Sequence, residues 1–273
     1  QRLLGWLEES IIEVKPPKNG RFHPKVWVLR FTSANEPIRY RFLCSSRNLT
    51  YDRAWDTLLV LDGQVRDGET PVKHSQPLAD FVKALPRMAL RQPVPARTLD
   101  AANRIEGELR HVVFENLEPF KEIRFRPLGI PGAKRWPFAD RIDRLLVISP
   151  FLSPETLSEI VADGGGDILV SRLESLQKIN KAVLAPFKQV YCLNPVAGPE
   201  NADEAGSPEP AAAPSLSGLH AKLYVADQGW DATVWTGSAN ATGALFGRNV
   251  DFLVELRGKK SQCGIDTFIS PED

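Results

Sequence analysis

The spacing of hydrophobic residues divides the chain into a strand-rich first part, a helical middle and an alternating last part. Short apolar runs bounded by turn residues predict the strands of the first part. Helical spacing dominates residues 78–90 and 99–114, and two prolines separate these segments. After residue 144, strand-like runs alternate with helical runs, which predicts an α/β sheet. The predicted strands are 10–15, 25–31, 38–44, 57–61, 123–130, 145–148, 168–170 and 189–193, and further helices are predicted at 1–9, from Ser153 onward and over 173–184.

Charge is balanced over the whole chain but not along it. The 34 basic and 34 acidic residues give a net charge of zero. Residues 194–218 are rich in Pro, Ala, Gly and Ser and carry four acidic residues and no basic one. This composition predicts a mobile surface loop. The rest of the chain is therefore positive, with basic clusters in residues 1–60 and 121–144.

Composition excludes several classes of protein. A hydrophobic content of 42% and a charged content of 25% are ordinary for a globular protein and exclude wholesale disorder, collagen and coiled coil. No apolar run approaches the roughly 18 residues of a membrane span, so we expect a soluble, cytoplasmic protein without stable membrane association. The three cysteines form no CxxC pair, and no cluster of residues has metal-ligand spacing, so we expect neither metal nor cofactor.

A short motif occurs twice in the same order. Two of the four histidines begin a His-x-Lys triplet, and an apolar strand and then a Ser-x-Asn triplet follow each one. An acidic residue lies farther along in both cases. Because an internal duplication determines the fold assignment, this repeat is the strongest observation in the sequence. The first copy contains His23, Lys25, Ser46 and Asn48, and the second contains His220, Lys222, Ser238 and Asn240.

These residues resemble the phospholipase D superfamily, whose hallmark is H-x-K-x4-D followed by G-S-x-N. The second copy matches in full, with His220 to Asp227 and Gly237 to Asn240. The first copy has Arg30 in place of the Asp and Ser45 in place of the Gly. The stretches around both Ser-x-Asn triplets are more similar to the nucleases and tyrosyl-DNA phosphodiesterases of the superfamily than to its lipid hydrolases.

The resemblance implies an α/β fold with two α-β-α lobes, whose mixed sheets pack on a shared active-site cleft. We place the first lobe and a helical extension in residues 1–125, and the second lobe in residues 126–273 with the mobile loop 194–218. Alignment of the two halves implies that the first lobe lacks roughly 35 residues before Gln1. The chain is therefore expected to be part of a longer protein with further domains.

The residue types of the motif suit metal-independent hydrolysis of a phosphodiester. The reaction needs a nucleophile, an acid for the leaving oxygen, and cations around the phosphate. Two imidazoles can supply the first two functions, and Lys25 and Lys222 can supply the charge. Asn48 and Asn240 add amide donors, and the two motif serines add hydroxyl groups. Residues i and i+2 of a strand face the same way, which explains the one-residue gap of His-x-Lys.

A carboxylate downstream of each motif can hold an imidazole in one tautomer. Asp56 is the candidate of the first copy, whereas Asp251 and Glu255 compete in the second. The resemblance implies that His23 attacks phosphorus to form a phosphohistidine and that His220 protonates the leaving group. The chemistry is nearly symmetrical, so the residues themselves leave the order of the two histidines open.

Three functions follow from these observations. The first is a metal-independent nuclease or DNA-end-processing phosphodiesterase, with nucleic acid as its partner. The second is a phospholipase or phosphatidyltransferase. The third is a catalytically inactive nucleic-acid-binding module, which the Arg30 and Ser45 departures permit.

Overall fold

The computed structural model describes residues 11–48, 54–68, 70–133, 142–162, 167–193, 218–244 and 247–269. Within these ranges the chain forms strands and helices of a mixed α/β fold, as expected. The predicted helix at 1–9 and all but the last residue of the predicted loop 194–218 lie outside the described residues.

The described strands are numbered in chain order. They are β1 Val26–Phe31, β2 Arg39–Ser45, β3 Ala54–Trp55, β4 Leu58–Val65, β5 Val112–Phe114, β6 Phe120–Leu128, β7 Arg144–Ile148, β8 Ile168–Ser171, β9 Gln189–Cys192, β10 Gly218–Leu219, β11 Leu223–Gln228, β12 Asp231–Gly237 and β13 Asp251–Lys259. The described α-helices are α1 Gln76–Ala84, α2 Ala96–Leu109, α3 Pro154–Ala162, α4 Leu173–Leu176, α5 Lys181–Leu184 and α6 Lys260–Cys263.

The first sheet has the order β1-β2-β4-β5 and is antiparallel throughout. Strict alternation along β2 buries Tyr40, Phe42 and Cys44 on one face. The other face leaves Trp27 and Phe31 about half exposed. The first sheet therefore has one covered and one open face.

The second sheet has the order β6-β13-β12-β11-β7-β8-β9. The β7-β8 and β8-β9 pairs are parallel and the other pairs are antiparallel, so the sheet is mixed. Helix α3 and the segment of α4 and α5 connect the parallel strands and cover one face with Leu157, Ile160 and Phe187. Both faces of this sheet are covered, and its central strands are accordingly apolar on both sides.

The two sheets face each other across one core, to which α1 contributes. Phe42 of the first sheet packs edge-on against Phe125 of the second, with ring centroids 5.0 Å apart. Phe81 of α1 packs against Phe252 in the same way. Because β6 pairs with β13 along its whole length, it belongs to the second sheet. The boundary that we placed after residue 125 therefore cuts through a strand.

Corresponding strands recur in the two halves. The antiparallel run β1-β2-β4 follows the first His-x-Lys triplet, and β11-β12-β13 follows the second with the same connectivity. Strand β11 has β7 on its other side, whereas β1 has no further strand there among the described residues. The expectation that the first lobe lacks a segment stays a prediction.

Local structure departs from the predicted elements at several places. The helix predicted over 78–90 ends at Ala84, and the strand predicted over 57–61 continues to Val65. The helix predicted over 99–114 ends at Leu109, because the last residues form β5 on the edge of the first sheet. The helix predicted over 173–184 is divided by Asn180, whose side chain accepts the amide of Ala182 at 2.9 Å and begins a new helix. Among residues 11–15, the predicted strand is limited to a bridge between Val14 and Ala89.

Candidate active site

The two His-x-Lys triplets adopt the same local conformation. Lys25 donates from Nζ to the carbonyl of His23 at 2.9 Å, and Lys222 donates to the carbonyl of His220 at 2.7 Å. The first triplet leads directly into β1, and the second lies between β10 and β11. A bond between residues two apart depends on local sequence alone, so the duplicated motif produces the duplicated geometry.

Each motif serine forms hydrogen bonds with the residue that follows the aspartate of its own copy. Ser46 Oγ accepts the amide of Thr57 at 2.9 Å, and Ser238 Oγ accepts the amide of Phe252 at the same distance. Each serine also donates its own amide to the carbonyl of that partner, again at 2.9 Å. The residue before each partner is an aspartate. Asp56 and Asp251 therefore occupy equivalent positions.

The glycine that precedes the second serine is required by this arrangement. Gly237 has a φ of +148°, and a Cβ built there would lie 2.2 Å from the carbonyl oxygen of Phe252. Ser45 takes the corresponding place in the first copy, opposite Leu58 of β4, just as Gly237 lies opposite Leu253 of β13. Ser45 does not share the positive φ of Gly237, so the first copy keeps the same strand pairing with a different backbone conformation at this position.

The backbone of each motif histidine forms a hydrogen bond with the other copy of the motif. The His23 amide donates to the carbonyl of Val250 at 2.8 Å, and the His220 amide donates to the carbonyl of Trp55 at 2.7 Å. Val250 and Trp55 each immediately precede one of the two equivalent aspartates. Each histidine is thus held beside the acidic segment of the other copy.

Asp251 contacts the imidazole of His23 directly. Its Oδ1 lies 3.0 Å from His23 Nδ1 and also accepts the Ser238 hydroxyl at 2.7 Å. The Asp251 side chain is fully buried, and its Oδ2 has no hydrogen-bond partner among the described residues. A carboxylate at Nδ1 holds the proton there and leaves the electron pair on Nε2. Because 36% of the His23 side chain is exposed, a substrate can reach this ring.

Asp56 has a different partner. Its Oδ2 forms an ion pair with Nε of Arg47, the middle residue of the first Ser-x-Asn triplet. The middle residue of the second triplet is Ala239, which is fully buried. A guanidinium therefore shares the charge of Asp56, while Asp251 has the neutral hydroxyl of Ser238. The two halves are equivalent in backbone but not in electrostatics.

The motif lysines are desolvated and influence each other. Burial lowers the pKa of Lys25 to about 8, against an opposing effect of Asp251. Burial, followed by the charges of Lys25 and Arg172, lowers the pKa of Lys222 to about 7. Asp251 and Asp56 oppose this effect on Lys222. The first and second copies therefore contribute to one electrostatic cluster, in which a bound anion would offset the repulsion of the lysines.

The two motif asparagines differ in exposure. Asn48 is exposed at a cavity of 270 Å³ that Lys25, Trp27 and Arg47 also line. Asn240 is partly buried, and its Oδ1 has no hydrogen-bond partner among the described residues. The unpaired atom is an acceptor, so a ligand group that meets it must be a hydrogen-bond donor.

Glu255 forms ion pairs and a hydrogen bond within the second sheet. Its Oε2 accepts from Arg126 Nε at 2.7 Å and from the indole of Trp235 at 3.1 Å, and Arg124 adds a contact of 3.4 Å. It lies four residues beyond Asp251 on β13, about 13 Å along the strand. We therefore take Asp251, and not Glu255, as the carboxylate of the second copy in the candidate site.

The last position of each H-x-K-x4-D segment lies at the far end of its strand. Arg30 forms a bidentate ion pair with Glu108 of α2 at 2.7 and 2.8 Å. Asp227 accepts the amide of Ile265 at 3.1 Å and a hydrogen bond of 3.4 Å from Arg144. Both residues anchor a neighbouring segment. The change from Asp to Arg in the first copy thus leaves the histidine cluster unaltered.

Sequence reasoning missed one cation of this cluster. Arg172 directly follows β8, donates from Nε to the carbonyl of Leu219 at 2.7 Å, and lowers the pKa of Lys222. It belongs to neither motif. The available signal was its position after a buried strand of an alternating α/β segment, where ligand sites form in such sheets.

Comparison with known proteins adds no assignment, since no family model matches the chain and no curated protein matches it significantly. Within the described ranges, the helices are too short or too polar to cross a membrane. The same part of the chain contains no group of three or more His, Cys, Asp or Glu residues that could hold a metal ion.

Proposed function

We propose that the chain is a phosphodiesterase of the phospholipase D superfamily that acts on nucleic acid without a metal, as a nuclease or DNA-end-processing hydrolase. The crossed arrangement of the two motifs carries this proposal. It brings one histidine against the aspartate of the other half and couples the two desolvated lysines. A binding module would need the cations but not a carboxylate bonded to Nδ1 of a substrate-accessible imidazole.

In the proposed reaction, Nε2 of His23 attacks phosphorus, and a P–N bond forms as the P–O bond to the leaving group breaks. His220, protonated at the start, gives its proton to the leaving oxygen. It then takes a proton from water, which attacks the phosphohistidine and frees His23. Lys25 and Lys222 neutralise the charge on the phosphoryl oxygens, and Asn48 and Asn240 donate to them.

The electrostatic difference between the two aspartates supports this order. Asp251 can stabilise the positive charge that develops on His23 during attack, because its other hydrogen-bond partner is the neutral hydroxyl of Ser238. Lys25 and Lys222 act on Asp251 through space. Asp56 shares its charge with Arg47 and offers less stabilisation to a proton on His220. A histidine that gives up its proton readily is the better acid. Both effects favour His23 as nucleophile and His220 as acid.

Nucleic acid is favoured over a lipid substrate by the surroundings of the cluster. Trp55, adjacent to Asp56, is 55% exposed, and Phe151 is 46% exposed. Exposed aromatic rings beside cations form stacking platforms for bases. Arg172 adds positive charge outside the two lysines.

The test is an assay with labelled DNA, labelled RNA and phosphatidylcholine vesicles in EDTA. We expect cleavage of a nucleic acid, abolished in His23→Asn and His220→Asn and retained in the matched control His111→Asn. Hydrolysis of the lipid alone would favour a phospholipase. Nucleic-acid binding without cleavage would favour an inactive module, and activity only after magnesium addition would refute the mechanism.

A further inference from the structure

Arg172 carries a charge that the described structure does not neutralise. Its Nη2 is buried and has no hydrogen-bond partner within the described part of the chain. Among the described residues, no carboxylate lies within 4.0 Å of its guanidinium, and Glu174 acts on it only electrostatically. Burial lowers the pKa of Arg172. A buried donor without a partner costs free energy, which a bound anion would recover.

The position of Arg172 places this donor at the edge of the candidate site. Its Nε donates a hydrogen bond to the carbonyl of Leu219, the residue before His220. Gly218 packs beside the same guanidinium, since a Cβ there would lie in van der Waals contact with Nε at 3.7 Å. Arg172 is therefore adjacent to the proposed acid, while Lys25 and Lys222 already serve the phosphate between the histidines.

An exposed aromatic ring lies against the same guanidinium. The Arg172 guanidinium carbon is 5.2 Å from the ring centroid of Phe151. The next residue, Leu152, forms a bridge with Ala241, which follows Asn240 of the second motif. The Phe151–Arg172 pair thus lies between the His220 side and the Asn240 side of the second copy.

We propose that Arg172 and Phe151 form a subsite for the nucleotide next to the scissile phosphodiester. Arg172 binds the neighbouring phosphate, and Phe151 stacks on the base of that nucleotide. This inference rests on the proposed function, because it assigns the substrate of the same site as a polynucleotide. A diester without a neighbouring phosphate would gain nothing from Arg172.

The experiment compares two substrates, a short single-stranded oligonucleotide and methyl p-nitrophenyl phosphate, which has one phosphate. For Arg172→Gln we expect kcat/KM on the oligonucleotide to fall about 10- to 100-fold, mainly through KM, as for loss of a charged hydrogen bond. The small diester should lose much less than the oligonucleotide, so that the ratio of the two kcat/KM values falls about 10-fold or more relative to wild type. Phe151→Ala should show the same selectivity, with a loss of about 10-fold. Arg257→Gln and Phe268→Ala are matched controls, since they remove the same groups elsewhere.

Methylphosphonates at the linkages beside the scissile one give a second arm that needs no variant. Removal of that charge should weaken binding of the oligonucleotide to the wild type, measured by fluorescence anisotropy, and should have no further effect on Arg172→Gln. Insensitivity of the wild type to the methylphosphonates would overturn the subsite, as would equal losses on both substrates. If the wild type binds with this discrimination but cleaves neither substrate, the subsite stands and the proposed catalysis fails.

Discussion

Replacement of Asp251 by Asn tests how the buried carboxylate acts on His23. The substitution keeps the size of the side chain but removes the charge 3.0 Å from Nδ1. An amide nitrogen facing Nδ1 would also move the imidazole proton to Nε2, the atom that we propose attacks phosphorus. The change therefore removes both the stabilising charge and the reactive tautomer.

The magnitude follows from the charge separation in the transition state. A unit positive charge on the imidazole and a carboxylate about 4 Å away interact by about 4 kcal/mol at an effective dielectric constant near 20. At 1.36 kcal/mol per decade, this corresponds to about a thousandfold in rate. The wrong tautomer adds to this loss, so we expect kcat to fall by about 10³ to 10⁴. KM should change little, because the interaction develops in the transition state.

Single-turnover kinetics with a p-nitrophenyl diester, together with urea unfolding, measure both effects. Asp251 Oδ2 is buried and has no hydrogen-bond partner in the part of the chain that the structure describes, so the neutral amide should leave the free energy of unfolding unchanged or raise it. Asp227→Asn is the matched control, since Asp227 is equally buried but lies at the far end of its strand. It should lose stability and keep kcat. A loss of less than tenfold in Asp251→Asn, or an equal loss in Asp227→Asn, would refute the reasoning.

Three further predictions concern charged groups. Because the pKa of Lys222 is lowered to about 7, the unfolded chain binds more protons than the folded chain above pH 7. The free energy of unfolding should therefore rise with pH between about 7 and 10. Urea unfolding of Lys222→Met should show a smaller rise than that of the wild type. At pH 6, Lys25→Ala and Lys222→Ala should each lower kcat/KM by about a hundredfold or more. The affinity of the wild type for an oligonucleotide should fall as the salt concentration rises. Normal rates in both variants, or salt-insensitive binding, would exclude the proposed phosphate site. Glu255→Gln should lower the free energy of unfolding by about 1–3 kcal/mol, because it weakens the contacts with the arginines, and should leave kcat within about twofold of wild type. A large loss of kcat would show that Glu255 belongs to the active site.

Local patterns predicted the elements well where neighbours in sequence determine the structure. The His-x-Lys and Ser-x-Asn spacings are such features, because Lys25 contacts its own triplet and Ser46 lies at the end of its own strand. The break at Asn180 was missed, although an Asn before an apolar run is a local N-cap signal.

The remaining features depend on contacts between distant residues. Asp251 and His23 are 228 positions apart, and no periodicity of β13 shows that Asp251, rather than Glu255, meets an imidazole. The membership of β6 in the second sheet depends on its pairing with β13. Arg172 has no motif, and only the folded chain places it beside Leu219. Tertiary packing decides all three features.

The central claim is that His23 becomes covalently phosphorylated while His220 supplies the proton. A diester with a p-nitrophenolate leaving group needs little acid assistance, so His220→Asn should retain a burst and accumulate an adduct. Mass spectrometry of His220→Asn, quenched after mixing with this substrate in EDTA, should locate the phosphoryl adduct on His23, and His23→Asn should show neither burst nor adduct. An adduct on His220 in His23→Asn would reverse the assignment, and the absence of any adduct would contradict the covalent mechanism.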